Sequence, residues 1–400
     1  MTNSTNAAMN QFLTGSNPTD GTERHAGWLR GVVVVGVMTL LVLCCSLTSY
    51  PSTAAWGLAW ALAGWALDGE GRAMSKSLGN IIEPEEIVKK YGADVLRLWV
   101  SSVAFHEDVR MSELVLTRLT EAYRKLRNTF RYALGNLHDF DPSADAMPAA
   151  ELQEIDQWIL LRAAALVEQC RAYYDDYSFH RVYQAVYNFA TTDLSSVYFD
   201  ILKDRLYTSA SASKARRSAQ TALYRVNHAL VRLVAPLLAF TAEEAWSHMR
   251  LAEGSPESVH LSLAPKPEEL TDGLPASSAS ISGNWTRLLE VRDQVLKSLE
   301  AARNEKLIGA PLEAKAVLEA GESLMPLLHQ YERDLPSIFI TSEVELIPSA
   351  GSAELAVTIQ KATGDKCDRC WKYTRDKGAD ASLPNVCAAC ARAVKEMLGS

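Results

Sequence analysis

Cysteine and positive charge are both in short supply in this chain. Seven cysteines occur in 400 residues, and four of them lie in one array near the C-terminal end. The cysteines that remain are too few for a disulfide framework. With 40 Lys and Arg residues against 48 Asp and Glu residues, the formal net charge is -8. Sequence-independent binding to nucleic acid requires many basic contacts to phosphates, so this composition excludes a general polyanion binder and restricts any RNA site to a local surface.

Charged residues are absent from Gly31 to Leu67, which sets the first 64 residues apart from the rest. Within this stretch, residues 31–47 (GVVVVGVMTLLVLCCSL) are almost wholly apolar. Such a run is at the short limit for a membrane span and also fits the apolar region of a signal peptide. A misplaced start or a shifted reading frame is the preferred interpretation, in which residues 1–60 carry no function.

Residues 71–80, GRAMSKSLGN, are predicted to form a loop between a strand and a helix. Trp65-Ala66-Leu67 suits a short strand, and the Asp-Gly pair that follows is a strong turn signal. On the other side, Pro84 suits the first turn of a helix and Gly92 its end. A lysine on such a loop can follow a phosphate group as its charge redistributes in a reaction. The Ser75-Lys76-Ser77 pattern alone is more typical of a solvated turn.

The surroundings of this loop carry a family resemblance. Residues 68–99, DGEGRAMSKSLGNIIEPEEIVKKYGADVLRLW, closely resemble the signature loop region of class I aminoacyl-tRNA synthetases, usually K-M-S-K-S, and the isoleucyl branch most of all. The resemblance implies that Lys76 is catalytic and stabilises the ATP phosphates while the amino-acid carboxylate attacks the α-phosphorus. It also implies that Ser75 and Ser77 assist in binding ATP. Ala73 stands where the family has its first lysine, which leaves Lys76 as the loop's lysine.

Residues 111–250 are poor in Gly and Pro, and their apolar side chains recur at steps of three and four. Long helices with short connections predict a bundle, with one long helix over 179–206 and a break near Pro236. YRKLRNTFRYALGNL and LSSVYFDILKDRLYT resemble the anticodon-binding helical domain of the same synthetases, which implies contact with tRNA. The candidate phosphate contacts are Arg124, Arg127 and Arg131.

The C-terminal array has the spacing C-x2-C-x16-C-x2-C, formed by Cys367, Cys370, Cys387 and Cys390. Two such pairs can surround one tetrahedral ion through four thiolates, which leaves no open position for a catalytic water. One structural zinc ion is therefore expected, with an iron site or a redox dithiol as alternatives. The segment is similar to the zinc finger of bacterial isoleucyl-tRNA synthetases, which implies a part in holding tRNA.

The predicted fold is mainly α: a class I synthetase stem segment and an anticodon-binding helical bundle, followed by a small α/β appendage with a four-cysteine zinc finger. Residues 264–285 are rich in Pro, Ser, Gly and Ala and predict a linker. The expected divisions are 1–64 unassigned, 65–110 signature loop and stem segment, 111–263 helical bundle, 264–285 linker, 286–362 α/β appendage and 363–400 zinc finger.

The resemblance is expected to cover residues 64–400 and to leave out the nucleotide-binding half of the synthetase fold. The first 64 residues hold one histidine, His25 in ERHAGW, which does not fit the family's His-Ile-Gly-His-like motif. The chain is therefore expected to be a C-terminal part of an isoleucine-tRNA ligase, monomeric and cytoplasmic, without the nucleotide-binding half and the editing domain. By itself it is not expected to reach a useful rate, because the positioning of both substrates depends on the missing half. Its expected partners are isoleucine tRNA and, in the intact enzyme, isoleucine and ATP with magnesium. The alternatives are a non-catalytic, zinc-stabilised tRNA-binding protein and a membrane-anchored protein that uses residues 31–47.

Overall fold

Helices account for most of the described chain, as the spacing of its apolar side chains predicts. The computed structural model describes residues 66–80, 82–104, 108–349 and 355–399. The chain divides into two units. The first comprises Met1–Ser143, Arg162–Leu194 and Tyr224–Thr271, and the second comprises Ala144–Leu161, Ser195–Leu223 and Asp272–Ser400.

The α-helices follow one another in chain order and are numbered as they occur. They are α1 (Pro84–Tyr91), α2 (Ala93–Ser102), α3 (Glu113–Asn136), α4 (Glu154–Asp175), α5 (Phe179–Asn188), α6 (Phe199–Thr208), α7 (Lys214–Val234), α8 (Ala239–Ser247), α9 (Glu268–Thr271), α10 (Ser278–Asn304), α11 (Met325–Gln330), α12 (Leu335–Phe339) and α13 (Ala388–Leu398). A π-helix, Phe189–Tyr198, lies between α5 and α6, and short 3-10 turns occur at Lys76–Leu78, Ala149–Glu151, Val259–Leu261 and Pro311–Glu313.

The strands are short and form three small sheets. They are β1 (Ala66–Leu67), β2 (Val109–Arg110), β3 (Ala314–Ala320), β4 (Glu343–Pro348), β5 (Leu355–Lys361), β6 (Asp365–Lys366) and β7 (Tyr373–Thr374). In the three-stranded sheet β3 is central, parallel to β4 and antiparallel to β5. β1 pairs with β2 in parallel, and β6 pairs with β7 in antiparallel fashion.

Local signals placed several helix boundaries correctly. Pro84 begins α1, and Gly92, with φ of 92°, separates α1 from α2. Ser112 caps α3 by accepting a hydrogen bond from the Val115 N–H at 3.3 Å. The predicted break near Pro236 is confirmed, because α7 ends at Val234 and α8 begins at Ala239.

The single helix expected over 179–206 is interrupted by the ten-residue π-helix, which shifts the register between α5 and α6. Such wide turns have no strong local signal, since they depend on how the flanking helices pack. The sequence pattern therefore predicted the helical content of this segment and missed its change of pitch.

The linker expected over 264–285 is also wrong in part, because α9 lies within it and α10 begins at Ser278. Ser278 is buried and donates to the Gln157 Oε1 at 2.9 Å, while Trp285 stacks on Trp158 with ring centroids 5.5 Å apart. These tertiary contacts offset the weak helix propensity of the Ser- and Gly-rich stretch.

In the first unit, α2 holds the start of α8. The Asp94 carboxylate accepts hydrogen bonds from the Thr241 N–H at 2.7 Å and from the Thr241 hydroxyl at 2.5 Å. Arg97 donates to the carbonyl oxygens of Pro236 and Leu237 at 2.7 and 3.1 Å. The second helix after the signature loop, α2, is thus fixed to the break in the bundle.

Residues 1–64, including the apolar run 31–47, lie outside the described residues. Among the helices that the structure does describe, none combines the length and the apolar character needed to cross a membrane.

Candidate functional site

The signature loop follows β1 and precedes α1, as predicted. Leu67 and Ala73 form an antiparallel bridge, so the chain turns back on itself before it reaches the serines. Lys76 begins the short 3-10 turn that ends at Leu78, whose N–H donates to the Ser75 carbonyl at 3.2 Å. Lys76 therefore starts a hydrogen-bonded turn between a strand and a helix.

Asp68 organises the first half of the loop. Its Oδ1 accepts from the N–H groups of Glu70 and Arg72 at 3.0 and 2.9 Å, and its Oδ2 accepts from the Arg72 Nε at 2.9 Å. The Asp68 side chain is only 11% exposed. The hydrogen bond from Asn80, followed by that from the Arg72 N–H, holds the pKa of this carboxyl well below its usual range. The group is therefore ionised at neutral pH.

Asn80 organises the second half. Its Nδ2 donates to the Asp68 Oδ2 at 2.9 Å and to the Ala73 carbonyl at 3.2 Å, and its Oδ1 accepts from the Ser75 N–H at 2.9 Å. Sequence reasoning named neither Asp68 nor Asn80 as a site residue. The Asp-Gly turn signal pointed to Asp68, but an Asn twelve residues further on carries no signal of a partner that distant.

The remaining loop side chains divide between packing and solvent. Met74 packs against the buried cluster of Ile87, Met111 and Leu116. Ala73 and Ser77 are exposed, and the Ser75 and Ser77 hydroxyl oxygens lie 3.1 Å apart. The two candidate ATP-binding hydroxyls are therefore brought together, next to Lys76.

The four C-terminal cysteines converge, as their spacing predicts. Their Sγ atoms all lie within 4.8 Å of one another, and those of Cys370 and Cys387 are 3.9 Å apart. Four thiolates at a Zn–S distance of about 2.3 Å in a tetrahedron are separated by roughly 3.8 Å. Cys367 follows β6, Cys387 precedes α13, and Cys390 lies in its first turn, and all three are buried. The donor set fits zinc in number, chemistry and separation.

Backbone groups favour the thiolate form at one of these positions. Burial opposes ionisation of Cys367, but hydrogen bonds from the N–H groups of Cys370 and Cys387 outweigh it and lower the pKa of the thiol to about 6. The Cys387 N–H lies 3.3 Å from the Cys367 Sγ. Deprotonated sulfur is the form that binds a metal ion.

The cysteine segment is attached to α6 within the second unit. Lys372 Nζ donates to the Asp204 Oδ2 at 2.6 Å, and Arg369 donates to the Thr208 carbonyl. The same Arg369 guanidinium lies 3.7 Å from the Cys390 Sγ. A side chain beside the metal site thus also binds the end of the helix that carries the LSSVYFDILKDRLYT motif.

The three candidate RNA-binding arginines lie on α3, spaced so that they share one side of the helix. Arg124 pairs with Glu121 at 2.7 Å, and Arg127 pairs with Glu244 at 2.8 Å. Arg131 is exposed. Two of the three guanidinium groups therefore already have carboxylate partners, a feature that the sequence pattern did not reveal.

Three family models match the chain. They are "tRNA synthetases class I (I, L, M and V)" over residues 2–112, "Anticodon-binding domain of tRNA ligase" over 156–318 and "Zinc finger found in FPG and IleRS" over 364–393. The signature loop, the helical segment and the cysteine array thus match segments of class I aminoacyl-tRNA synthetases.

Curated relatives of this chain indicate which branch of the class I synthetases it resembles. The isoleucine-tRNA ligase of Syntrophotalea carbinolica is 43% identical over 380 residues, covering 93% of this chain and 39% of that protein. That of Symbiobacterium thermophilum is 43% identical over 390 residues, covering 94% and 40%. The chain is similar to isoleucine-tRNA ligases over a portion of their length. It corresponds to a C-terminal portion that ends in the family's zinc finger, and zinc is its structural cofactor.

The chain spans about two fifths of the length of these curated relatives. Among solved structures, a Mycobacterium tuberculosis methionyl-tRNA synthetase bound by methionyl-adenylate is similar at 22% identity and a TM-score of 0.41, covering 52% of this chain and 41% of that one.

Two expected boundaries differ from these matches. The class I match begins at residue 2, so the expectation that the resemblance starts at residue 64 is wrong. The anticodon-binding match runs to residue 318, past the expected linker and into β3, whereas the bundle was expected to end at residue 263. The serine-rich composition of 264–285 suggested a domain boundary, but these residues lie inside the single match to the anticodon-binding family model.

Proposed function

We propose that this chain is the part of an isoleucine-tRNA ligase that binds tRNA and supplies the signature loop of the activation reaction. In that reaction an isoleucine carboxylate oxygen bonds to the α-phosphorus of ATP, and the bond from that phosphorus to the departing pyrophosphate breaks. A hydroxyl of the terminal ribose of isoleucine tRNA then bonds to the carbonyl carbon of the aminoacyl-adenylate, and AMP leaves. The observation that carries the proposal is the hydrogen-bonded loop that presents Ser75, Lys76 and Ser77 between β1 and α1.

Each candidate residue has a role in this proposal. Lys76 stabilises the charge that develops on the ATP phosphates, and the Ser75 and Ser77 hydroxyls donate hydrogen bonds to phosphate oxygens. ATP enters with magnesium, and the protein acts in the cytoplasm as a monomer. The zinc ligands are Cys367, Cys370, Cys387 and Cys390, and the tRNA phosphate contacts are Arg124, Arg127 and Arg131.

Isoleucine-dependent exchange of pyrophosphate with ATP tests the catalytic part. Where the wild-type chain exchanges pyrophosphate, Lys76→Ala is expected to lower the exchange rate about 10²- to 10³-fold, because it removes one charged donor to the transition state. Lys89→Ala, at an exposed position on α1, is the matched control and should leave the rate unchanged. Equal exchange with valine, or an unaffected Lys76→Ala variant, contradicts the assignment.

A second candidate function is non-catalytic tRNA binding, and Ala73 is the observation that favours it. The residue is exposed and its backbone is already held by Leu67 and Asn80, yet it lacks the ammonium group that the family has there. tRNA binding that survives Lys76→Ala, together with no exchange by the wild-type chain, would favour this function.

Ala73→Lys supplies the missing charge. Since the position is exposed, the free energy of unfolding should change by less than about 0.5 kcal/mol. If the chain activates isoleucine, the exchange rate should rise about tenfold, which corresponds to one added charge-assisted hydrogen bond. Ala73→Gln, of similar length and without charge, is the control. A rate equal for both variants would show that the added charge does not act on ATP.

tRNA binding is tested through its salt dependence. Arg131→Ala should weaken the binding of isoleucine tRNA and reduce the slope of log K against log salt concentration by about 1, as expected for one lost phosphate contact. Arg118→Ala is the control, since 13 residues place it about 140° away around the same helix. A change of similar size in both variants would mean that α3 acts through its overall charge.

A further inference from the structure

The two halves of the signature loop are joined by one pair of side chains. Asp68 immediately follows β1, and Asn80 ends the loop twelve residues later, yet the Asn80 Nδ2 and the Asp68 Oδ2 are 2.9 Å apart. Between them, Asp68 and Asn80 accept hydrogen bonds from the backbone N–H groups of Glu70, Arg72 and Ser75. At these three residues, side-chain oxygens accept from the backbone N–H groups that a strand or helix would otherwise bind through backbone carbonyls.

This loop needs such a constraint because glycines flank it. Gly71 and Gly79 have φ of 83° and 63°, conformations that glycine adopts readily and leaves as readily. Met74 packs on the Ile87, Met111 and Leu116 cluster, which anchors the middle of the loop. The neighbouring Ser75-Lys76 segment is tied to the rest by the hydrogen bond from the Ser75 N–H to the Asn80 Oδ1.

We propose that Asp68 and Asn80 form a clamp that sets the loop conformation before ATP binds, and that Asn80 is a positioning residue for Lys76. The clamp rests on the proposed function, because its consequence is the placement of Lys76 against phosphate. A loop fixed in advance loses less conformational freedom when the transition state forms, so its charge acts without a cost of reorganisation.

In this pair Asn80 donates and Asp68 accepts, so the clamp can be tested by swapping the two residue types between positions 68 and 80. In Asp68→Asn, two amide groups face each other. If the Asn80 amide turns to accept from residue 68, its NH₂ then faces the Ser75 N–H, so one mismatch remains in either orientation. In Asn80→Asp, two carboxylates face each other. In the double variant, residue 68 donates and residue 80 accepts, and the carboxylate at 80 still accepts from the Ser75 N–H. The Ala73 carbonyl and the Arg72 Nε each lose their partner in the pair, so the swap restores the link between residues 68 and 80 and not every contact of the clamp.

Amide hydrogen exchange in the full chain measures the clamp directly. Each single variant is expected to lower the protection of the Ser75 amide at least tenfold at pH 8, and the double variant should recover part of that loss. Glu83→Gln, at an exposed residue beside α1, controls for the loss of one negative charge. The midpoint of global thermal unfolding should stay within about 2 °C in all variants.

The Asn80→Asp variant should also become pH-dependent. Two carboxylates at hydrogen-bond distance retain one proton to a higher pH than an isolated carboxyl does, and the protonated form restores a donor. Protection of the Ser75 amide, relative to wild type at the same pH, should therefore be higher at pH 5 than at pH 8. The charged groups around the pair are Arg72, Glu70 and, from β2, Arg110, whose Nη2 would lie 3.3 Å from a Cβ at Gly71.

The kinetics of pyrophosphate exchange distinguish a positioning role for Asn80 from a purely structural one. Where the wild-type chain exchanges pyrophosphate, the single variants should lower kcat more than they raise the KM for ATP, and the double variant should recover part of kcat. Loss of protection throughout the first unit, or a double variant no better than the singles, overturns the clamp. Absence of exchange by the wild-type chain with the expected pattern of Ser75 protection would instead count against the proposed activity and leave the clamp supported.

Discussion

Cys387→Ser is expected to reduce the zinc content of the chain from about one ion to less than a tenth and to unfold residues 364–399 locally. The described segment has little else to hold it. Its buried residues are Cys367, Cys387, Cys390, Ala391 and Ala393, and its two strands have two residues each. Zinc binding to finger peptides contributes on the order of 10–16 kcal/mol, and that free energy is also their folding free energy.

Metal analysis together with amide exchange over residues 364–399 checks this prediction. Cys170→Ala is the matched control. Cys170 is a buried thiol on α4 whose pKa burial raises to about 12, so it remains protonated and should not affect the metal content. Removal of zinc by a chelator should reproduce the effect of Cys387→Ser and should also expose the end of α6, to which Arg369 and Lys372 bind. A metal-free chain whose segment kept its protection would refute a folding role for the ion.

Asp156→Ala is expected to destabilise the second unit by about 3–5 kcal/mol, the usual consequence of leaving a buried charge without its partner. The Asp156 side chain is fully buried and accepts two hydrogen bonds from Arg205, at 2.6 and 3.0 Å. It also accepts from the Tyr198 hydroxyl at 2.7 Å and the Ser218 hydroxyl at 2.5 Å. One carboxylate therefore joins α4 to the π-helix, α6 and α7.

The measurement is urea unfolding, monitored by the amide exchange of α6. This probe reports the stability of the second unit separately, because the whole chain need not unfold in one step. The combined change Asp156→Leu with Arg205→Met removes both charges and should cost less than Asp156→Ala alone. Glu300→Ala is the exposed control, because its partner Arg303 is half exposed, and it should cost less than about 1 kcal/mol. Equal costs for Asp156→Ala and Glu300→Ala would mean that the buried network contributes no more than a surface pair.

Several features of this protein could be predicted from the sequence because they depend on neighbours along the chain. Apolar spacing indicated the helices, and Pro84, Gly92 and Pro236 marked where they begin, end or break. The C-x2-C pairs predicted a gathered set of thiols, since two knuckles are enough to surround an ion. Lys76 was placed on a loop between a strand and a helix for the same local reasons.

Other features depend on partners far apart in the sequence, and the tertiary structure alone decided them. Asn80 reaches back to Asp68 across the loop, and Asp156 binds Arg205 and Ser218 from helices that begin more than forty residues later. The helix from Ser278 forms against Gln157 and Trp158 in spite of its composition. Apolar spacing and helix propensity describe one segment at a time. The free-energy cost of burying a polar group depends instead on the hydrogen-bond partner it finds, and that partner can lie far away in the sequence. The sequence thus determined most of the helical segments and where the thiols gather, and the packing of those segments decided where the helix from Ser278 begins, how the loop is held and which charges lie inside.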